Sequence, residues 1–270
     1  MLSQASTDFL DNDLTSSAAA LSYFSTLGLF PLLLLLLNVS TTVFGKEELK
    51  RFLVYRILEL LPGSHDFVLK NVEAVTEVSN QMLISCFILV IWTGSWSFRV
   101  IEKAFSRIWK TECRSFIHGR LVTITVTVFV GLALMSASLI SSVVNFVRSS
   151  AERIPVTAPP IIHMFTSLFW QSVFSMIALL VTIELFTIIY RFLPNKHVRW
   201  KEALPGAVVA GVLWEAAKYC FSHLLPYFHY DVVYGSIGAG IVLLSWIYIS
   251  SLIMLYGAQL CATLREDRKV

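Results

Sequence analysis

Apolar residues in this chain fall in long unbroken runs rather than in strict alternation. Alternation would mark strands, whereas an unbroken run of about 18 or more apolar residues marks a helix that can cross a bilayer. Six such runs are legible, at 17–38, 81–98, 121–147, 161–190, 203–224 and 235–264. Inside hydrocarbon every backbone N–H and C=O must find a partner within the protein, which restricts spanning segments to helices or a closed barrel. A barrel would show period-two patterning, so helices are expected. The predicted fold is all-α, a polytopic transmembrane bundle of six helices forming one membrane domain over residues 1–270.

Two polar stretches carry a helical pattern of their own. Between the first two runs, Leu49, Phe52, Leu53, Ile57, Leu60 and Leu61 recur at helical spacing. Pro62-Gly63 ends that stripe, and Ser64 or Asp66 caps a second one carrying Val68, Val72 and Val75. A small extracytoplasmic helical hairpin over 45–80 is expected. After the second run, Arg99, Lys103, Arg107 and Lys110 repeat along one face, with Val100, Ala104, Phe105 and Ile108 between them. The second span should continue as a basic amphipathic helix in contact with inner-leaflet lipid, each cation contributing about 1 kcal/mol towards anionic lipid. Orientation alone accounts for the same residues equally well.

Composition supports the membrane reading. The chain is 56% hydrophobic and 14% charged, against about 25% charged in soluble domains. By the excess of Lys and Arg, thirteen lie at one set of ends and seven at the other, with Lys218 inside a run. This puts the N- and C-termini in the cytoplasm. The first sixteen residues hold Asp8, Asp11 and Asp13 but no Lys or Arg, so the first run reads as a retained helix rather than a signal peptide. Four scattered cysteines form no C-x-x-C pair, which points away from a disulfide framework or a zinc site.

Ionisable residues inside the runs are the first candidates for chemistry, because a charge at mid-bilayer costs about 2.5–3.5 kcal/mol on insertion scales. Glu215 and Lys218 lie three apart in the fifth run, hence on one helix face. The pair could serve a substrate or ion pathway, or could fix helix packing. Glu184, late in the fourth run, is a further pathway candidate, and salt bridging to Arg191 or Lys201 is its plainer role. Gln259 and Ser245 on the sixth run can hydrogen-bond across helices. Gly206-x-x-x-Ala210 and Ala207-x-x-x-Gly211 on the fifth run, and Ser236-x-x-x-Gly240 on the sixth, predict that these two helices pack closely. Pro31 removes a backbone bond from the first helix and is a candidate hinge. His223, His229 and Asp231 match no ligand spacing of a named metal motif, so no metal site is assigned. No catalytic motif is present, and neither an enzyme nor a cofactor is expected.

Three segments carry a family resemblance. The first is Ala18-Ala19-Ala20-Leu21-Ser22-Tyr23-Phe24 with Leu29-Phe30-Pro31. The second runs from Arg191-Phe192-Leu193-Pro194-Asn195 through Trp200 and Ala203-Leu204-Pro205-Gly206-Ala207 to Trp214-Glu215 and Lys218. The third is Tyr234-Gly235-Ser236-Ile237-Gly238, then Leu243-Leu244, Trp246, Tyr248 and Gly257-Ala258. Together they resemble the YihY/virulence factor BrkB family of bacterial inner-membrane proteins, over nearly the whole chain. This chain departs from the family pattern at Trp96-Ser97, where Gly-Gly is usual, and at Gln259 and Cys261, where an acid and an amide are usual. The resemblance implies six helices, the plasma (inner) membrane of a bacterium and a role in envelope biology and serum resistance. Some members carry an old ribonuclease label.

The leading functional expectation is a transporter or flippase for a lipid-like or amphipathic anionic molecule. The alternative is a non-transporting envelope scaffold acting through the 45–80 hairpin, and a membrane-bound ribonuclease is remote. Membrane lipids and a possible homo-oligomer are the expected partners, and nucleic acid is not.

Overall fold

The structure, a computed structural model, describes residues 2–44, 80–112, 160–224 and 238–267. Among these every element is a helix: α1 (Leu2–Asp11), α2 (Leu14–Phe44), α3 (Asn80–Trp109), α4 (Pro160–Phe192), α5 (Trp200–Leu224) and α6 (Gly238–Asp267). The predicted run at 121–147 and the hairpin at 45–80 lie outside the described residues. Four helices contain stretches long and apolar enough to cross a membrane: Leu14–Leu35, Gln81–Trp109, Ser172–Phe192 and Gly240–Arg265. The fifth predicted run does form a helix of 25 residues, about 37 Å long at 1.5 Å per residue. It falls short of the other four in hydropathy because Glu215, Lys218 and several small residues interrupt its apolar row.

α1 was not foreseen from the pattern of runs. It is amphipathic, burying Ala5 and Phe9 while Leu10 stays exposed, and it rests on α6, where Phe9 meets Tyr256 edge-on with centroids 5.8 Å apart. A tight turn follows, with Asp13 at φ 50°. This left-handed conformation is one that Asp adopts more readily than most non-glycine residues. The Asp13 carbonyl then accepts from the Ser17 amide and hydroxyl at 3.3 and 3.2 Å in the first turn of α2. α2 continues unbroken through Pro31.

α6 is the hub. It touches each of the other five helices, while α2 pairs with α3 and α4 with α5. Four close approaches depend on a missing side chain, the one at Gly211 being against Ile183 of α4. At Gly28 a Cβ would meet the Thr93 hydroxyl of α3. At Gly206 it would meet the Gly257 carbonyl and Cys261 of α6, and at Gly257 it would meet Tyr190 and Ala210. The expected close packing of α5 on α6 is therefore present, but its α6 side is Gly257 and Cys261. Gly240 has open space around it, Ser236 lies outside the described residues, and Gly211 faces Ile183 of α4.

The buried core gathers at one end of the bundle. Phe9 and Leu14 from the N-terminal turn, Phe105, Ile108 and Trp109 from the end of α3, and Phe186 and Tyr190 from the end of α4 meet there. Ala203 and Ala207 from the start of α5 and Ala258 and Cys261 from the end of α6 complete it. α3 and α4 thus both run towards this end.

Candidate functional site

α5 leaves the packed end and carries two ionisable residues away from it. Lys218 Nζ lies 2.8 Å from Glu215 Oε2, the two side chains being 35% and 29% exposed. Spacing of three brings them together on one face. The Thr182 hydroxyl of α4 lies 3.2 Å from Glu215 Oε1 and 2.9 Å from the Ala178 carbonyl. Its single proton serves one acceptor or the other. The pair is therefore tied to α4 through the glutamate, while the lysine side is held only by the glutamate among the described residues.

Aromatic side chains form the floor beside the pair. Trp214 packs edge-on against Phe186 of α4 and Trp246 of α6, with centroids 5.9 and 5.4 Å apart. Phe221, one turn beyond Lys218, also meets Trp246 at 5.1 Å. The pair is thus charge-compensated and flanked by apolar rings. An ammonium has three donors, so an incoming phosphate or carboxylate can take Lys218 while Thr182 retains Glu215.

The other sequence candidates are not brought to this place. Glu184 is exposed on α4 and, two residues from Thr182, projects about 200° around that helix. The expected bridge from Glu184 to Arg191 or Lys201 is not formed among the described residues. Arg191 instead stacks over the Trp200 ring at 4.1 Å. Gln259 is buried at the packed end, where its Oε1 accepts from Asn12 Nδ2 at 3.1 Å. It lies some 13 residues along α6 from Trp246, about 20 Å away. Arg99, Lys103, Arg107 and Lys110 are all exposed along α3, but they are not equivalent. Arg107 donates to the Asn12 carbonyl at 2.9 Å. Lys110 stops the helix at φ 49°, with the Thr111 amide returning to the Ser106 carbonyl at 3.0 Å, the pattern of a Schellman cap. His223 stacks with Tyr219 at the far end of α5, and His229 and Asp231 lie outside the described residues. Among the described residues no three His, Cys, Asp or Glu side chains form a group able to hold a metal.

Sequence reasoning passed over the polar lock of the packed end. Glu202 Oε2 accepts from the Arg199 amide at 3.1 Å and pairs with Arg265 at 3.4 Å. Arg265 also donates to the His197 carbonyl at 3.1 Å. The signal was available: a glutamate three residues after a helix start is half of a capping box, and an arginine in the last turn of α6 suits its negative end. Tyr190, fully buried, donates to the Met254 carbonyl at 2.8 Å and closes the same region.

Four membrane-length apolar helices, a hub helix and an ion pair set within an apolar row define a helical-bundle membrane protein. The chain belongs to the virulence factor BrkB family, whose sequence profile matches residues 5–270. It is similar to the ribonuclease-like protein YfkH of Bacillus subtilis, 25% identical over 94% of this chain and 91% of that one. It is 28% identical to a UPF0761 membrane protein of Psychrobacter, over 95% of this chain but 47% of that longer protein. A UPF0761 membrane protein of Aliivibrio salmonicida is 27% identical over 94% of this chain and 79% of its own length. No solved structure matches the chain.

Proposed function

We propose that this membrane protein moves lipid-like or amphipathic anionic molecules between the leaflets of the bacterial inner membrane, with Lys218 as the anion-receiving group. The observation that carries the reading is the partly exposed Glu215–Lys218 pair, set among apolar residues and, among the described residues, hydrogen-bonded to α4 through Thr182 alone. A pair that served only to lock packing would be expected to be enclosed, because a buried pair needs its remaining donors and acceptors satisfied. Glu215 keeps the lysine compensated until an anion arrives. Pro31, inside α2, leaves the Leu27 carbonyl without its usual partner, and we place the bending point of the cycle there.

Six spans with cytoplasmic termini fit this scheme. α3 and α4 both run towards the packed end, so one further crossing between them supports the apolar run at 121–147 as a span. The excess of Lys and Arg near the packed end supports placing that end in the cytoplasm. The name of the Bacillus relative suggests a nuclease, but among the described residues no metal-holding group carries that suggestion further. The test is movement of fluorescent phosphatidylglycerol and phosphatidylcholine in liposomes holding the purified protein. Protein-dependent movement of the anionic lipid is expected, and its absence with and without an ion gradient overturns the reading. RNA cleavage by the same preparation would favour the nuclease instead.

A further inference from the structure

The turn between α4 and α5 borders an open notch of about 380 Å³ lined by Arg191, Phe192, Pro194, Asn195, Lys196, His197 and Val198. Its lining holds an arginine, a lysine and a histidine, and no carboxylate. The nearest acid on the following helix, Glu202, is already engaged with Arg265 and the Arg199 amide. Because that carboxylate caps the start of α5, the side-chain cations, rather than the helix terminus, supply the positive field. The Arg191 guanidinium carbon lies over the Trp200 ring, 4.1 Å from its centroid. A guanidinium held by an aromatic ring retains planar N–H donors that suit an oxyanion.

The height of the notch is fixed by the spans around it. The apolar stretch of α4 ends at Phe192, and that of α6 ends at Arg265, whose guanidinium touches the His197 carbonyl. The notch therefore sits at the level of lipid headgroups. Trp200, 53% exposed, stands beside it, as a tryptophan at a membrane interface does. From there Leu204, Val208 and Val212, all exposed, rise along α5 towards the bilayer interior. At a spacing of four they form one continuous row, which suits an acyl chain.

We propose that this notch is a binding site for the phosphate headgroup of an anionic phospholipid. Arg191, Lys196 and His197 hold the phosphate, and the Leu204–Val208–Val212 row carries a chain. The site goes beyond the transport reading and does not depend on it, since a lipid held here need not cross the bilayer. It is also separate from the basic stripe of α3, none of whose four cations lines the notch.

The experiment is binding of fluorescent phosphatidylglycerol and phosphatidylcholine to the full chain in detergent, with glycerol phosphate as a soluble competitor. The wild-type chain should prefer phosphatidylglycerol at least tenfold. Lys196→Glu with His197→Glu, both side chains exposed, should remove most of that preference, and Arg191→Gln should remove it too. Lys103→Glu on α3 should leave it intact. Unchanged preference in the Lys196/His197 variant overturns the site. Displacement by glycerol phosphate at concentrations near those of the lipid overturns the lipid assignment in favour of a soluble phosphate. Because binding is read without movement, failure of the flipping assay leaves this result independent.

Discussion

The two ends of α5 solve opposite problems. At its start, Gly206, Ala207 and Ala210 bring its backbone against α6, and Glu202 joins Arg265 in a largely enclosed pair. Nine residues beyond Gly206, Glu215 and Lys218 form a second pair that keeps about a third of each side chain open. Both are glutamate–cation contacts of reasonable geometry, but the first is surrounded by accessory bonds to Arg199 and His197. The second has one hydrogen-bonding neighbour among the described residues, Thr182, and that neighbour touches only the acid. A structural pair is fixed from several sides, whereas a working one must be able to let go.

The contrast can be broken most severely at the packed end. Gly257→Leu would drive a side chain into Tyr190 and Ala210. Overpacking costs about 1–3 kcal/mol and more where backbone would have to move, so this variant should unfold in detergent at a clearly lower temperature or fail to accumulate. Retention of the wild-type melting temperature would show that the close approach of α5 and α6 is not needed. Next in size, Glu202→Gln leaves Arg265 without its carboxylate partner and weakens the α5 cap. Breaking one side of an enclosed pair costs about 3–5 kcal/mol in full burial, and somewhat less here because both groups retain some exposure. Thermal unfolding followed by circular dichroism should show a loss that Arg265→Met in the same chain partly restores.

The site on α5 should respond in the reverse sense. Glu215→Gln with Lys218→Met removes both charges together and leaves none uncompensated. Stability should stay within about 1 kcal/mol of wild type, as for partly exposed pairs. The smallest effect is expected on α3, where Lys103 is exposed and has no partner among the described residues. Lys103→Gln should shift unfolding by less than about 0.5 kcal/mol. A large shift there would mean that the basic stripe contributes to packing as well as to orientation.

The helices themselves were readable because apolar runs of spanning length have few alternative uses. Five of the six predicted runs overlap a described helix, and α5 on α6 was foreseen from small residues on α5. The partner surface on α6 was missed because Gly257-x-x-x-Cys261 includes a cysteine, which is easily passed over as a small packing residue despite its readiness to be buried. α1 was missed for a different reason. Its short amphipathic stripe of Ala5 and Phe9 is masked in the sequence by the nearby Asp8, Asp11 and Asp13. Glu215 and Lys218 were legible as a pair from spacing alone. Their openness was not, since it depends on which side of α5 the neighbouring helices cover, and no local pattern encodes that.

The central claim is that the Glu215–Lys218 pair works rather than locks. Its most direct test is liposome transport of fluorescent phosphatidylglycerol by the Glu215→Gln/Lys218→Met chain, with the melting temperature of the same preparation measured alongside. The account predicts a chain that melts close to wild type and moves the lipid at least tenfold more slowly. Wild-type movement by a stably folded double variant, or collapse of the fold with loss of the pair, would contradict it.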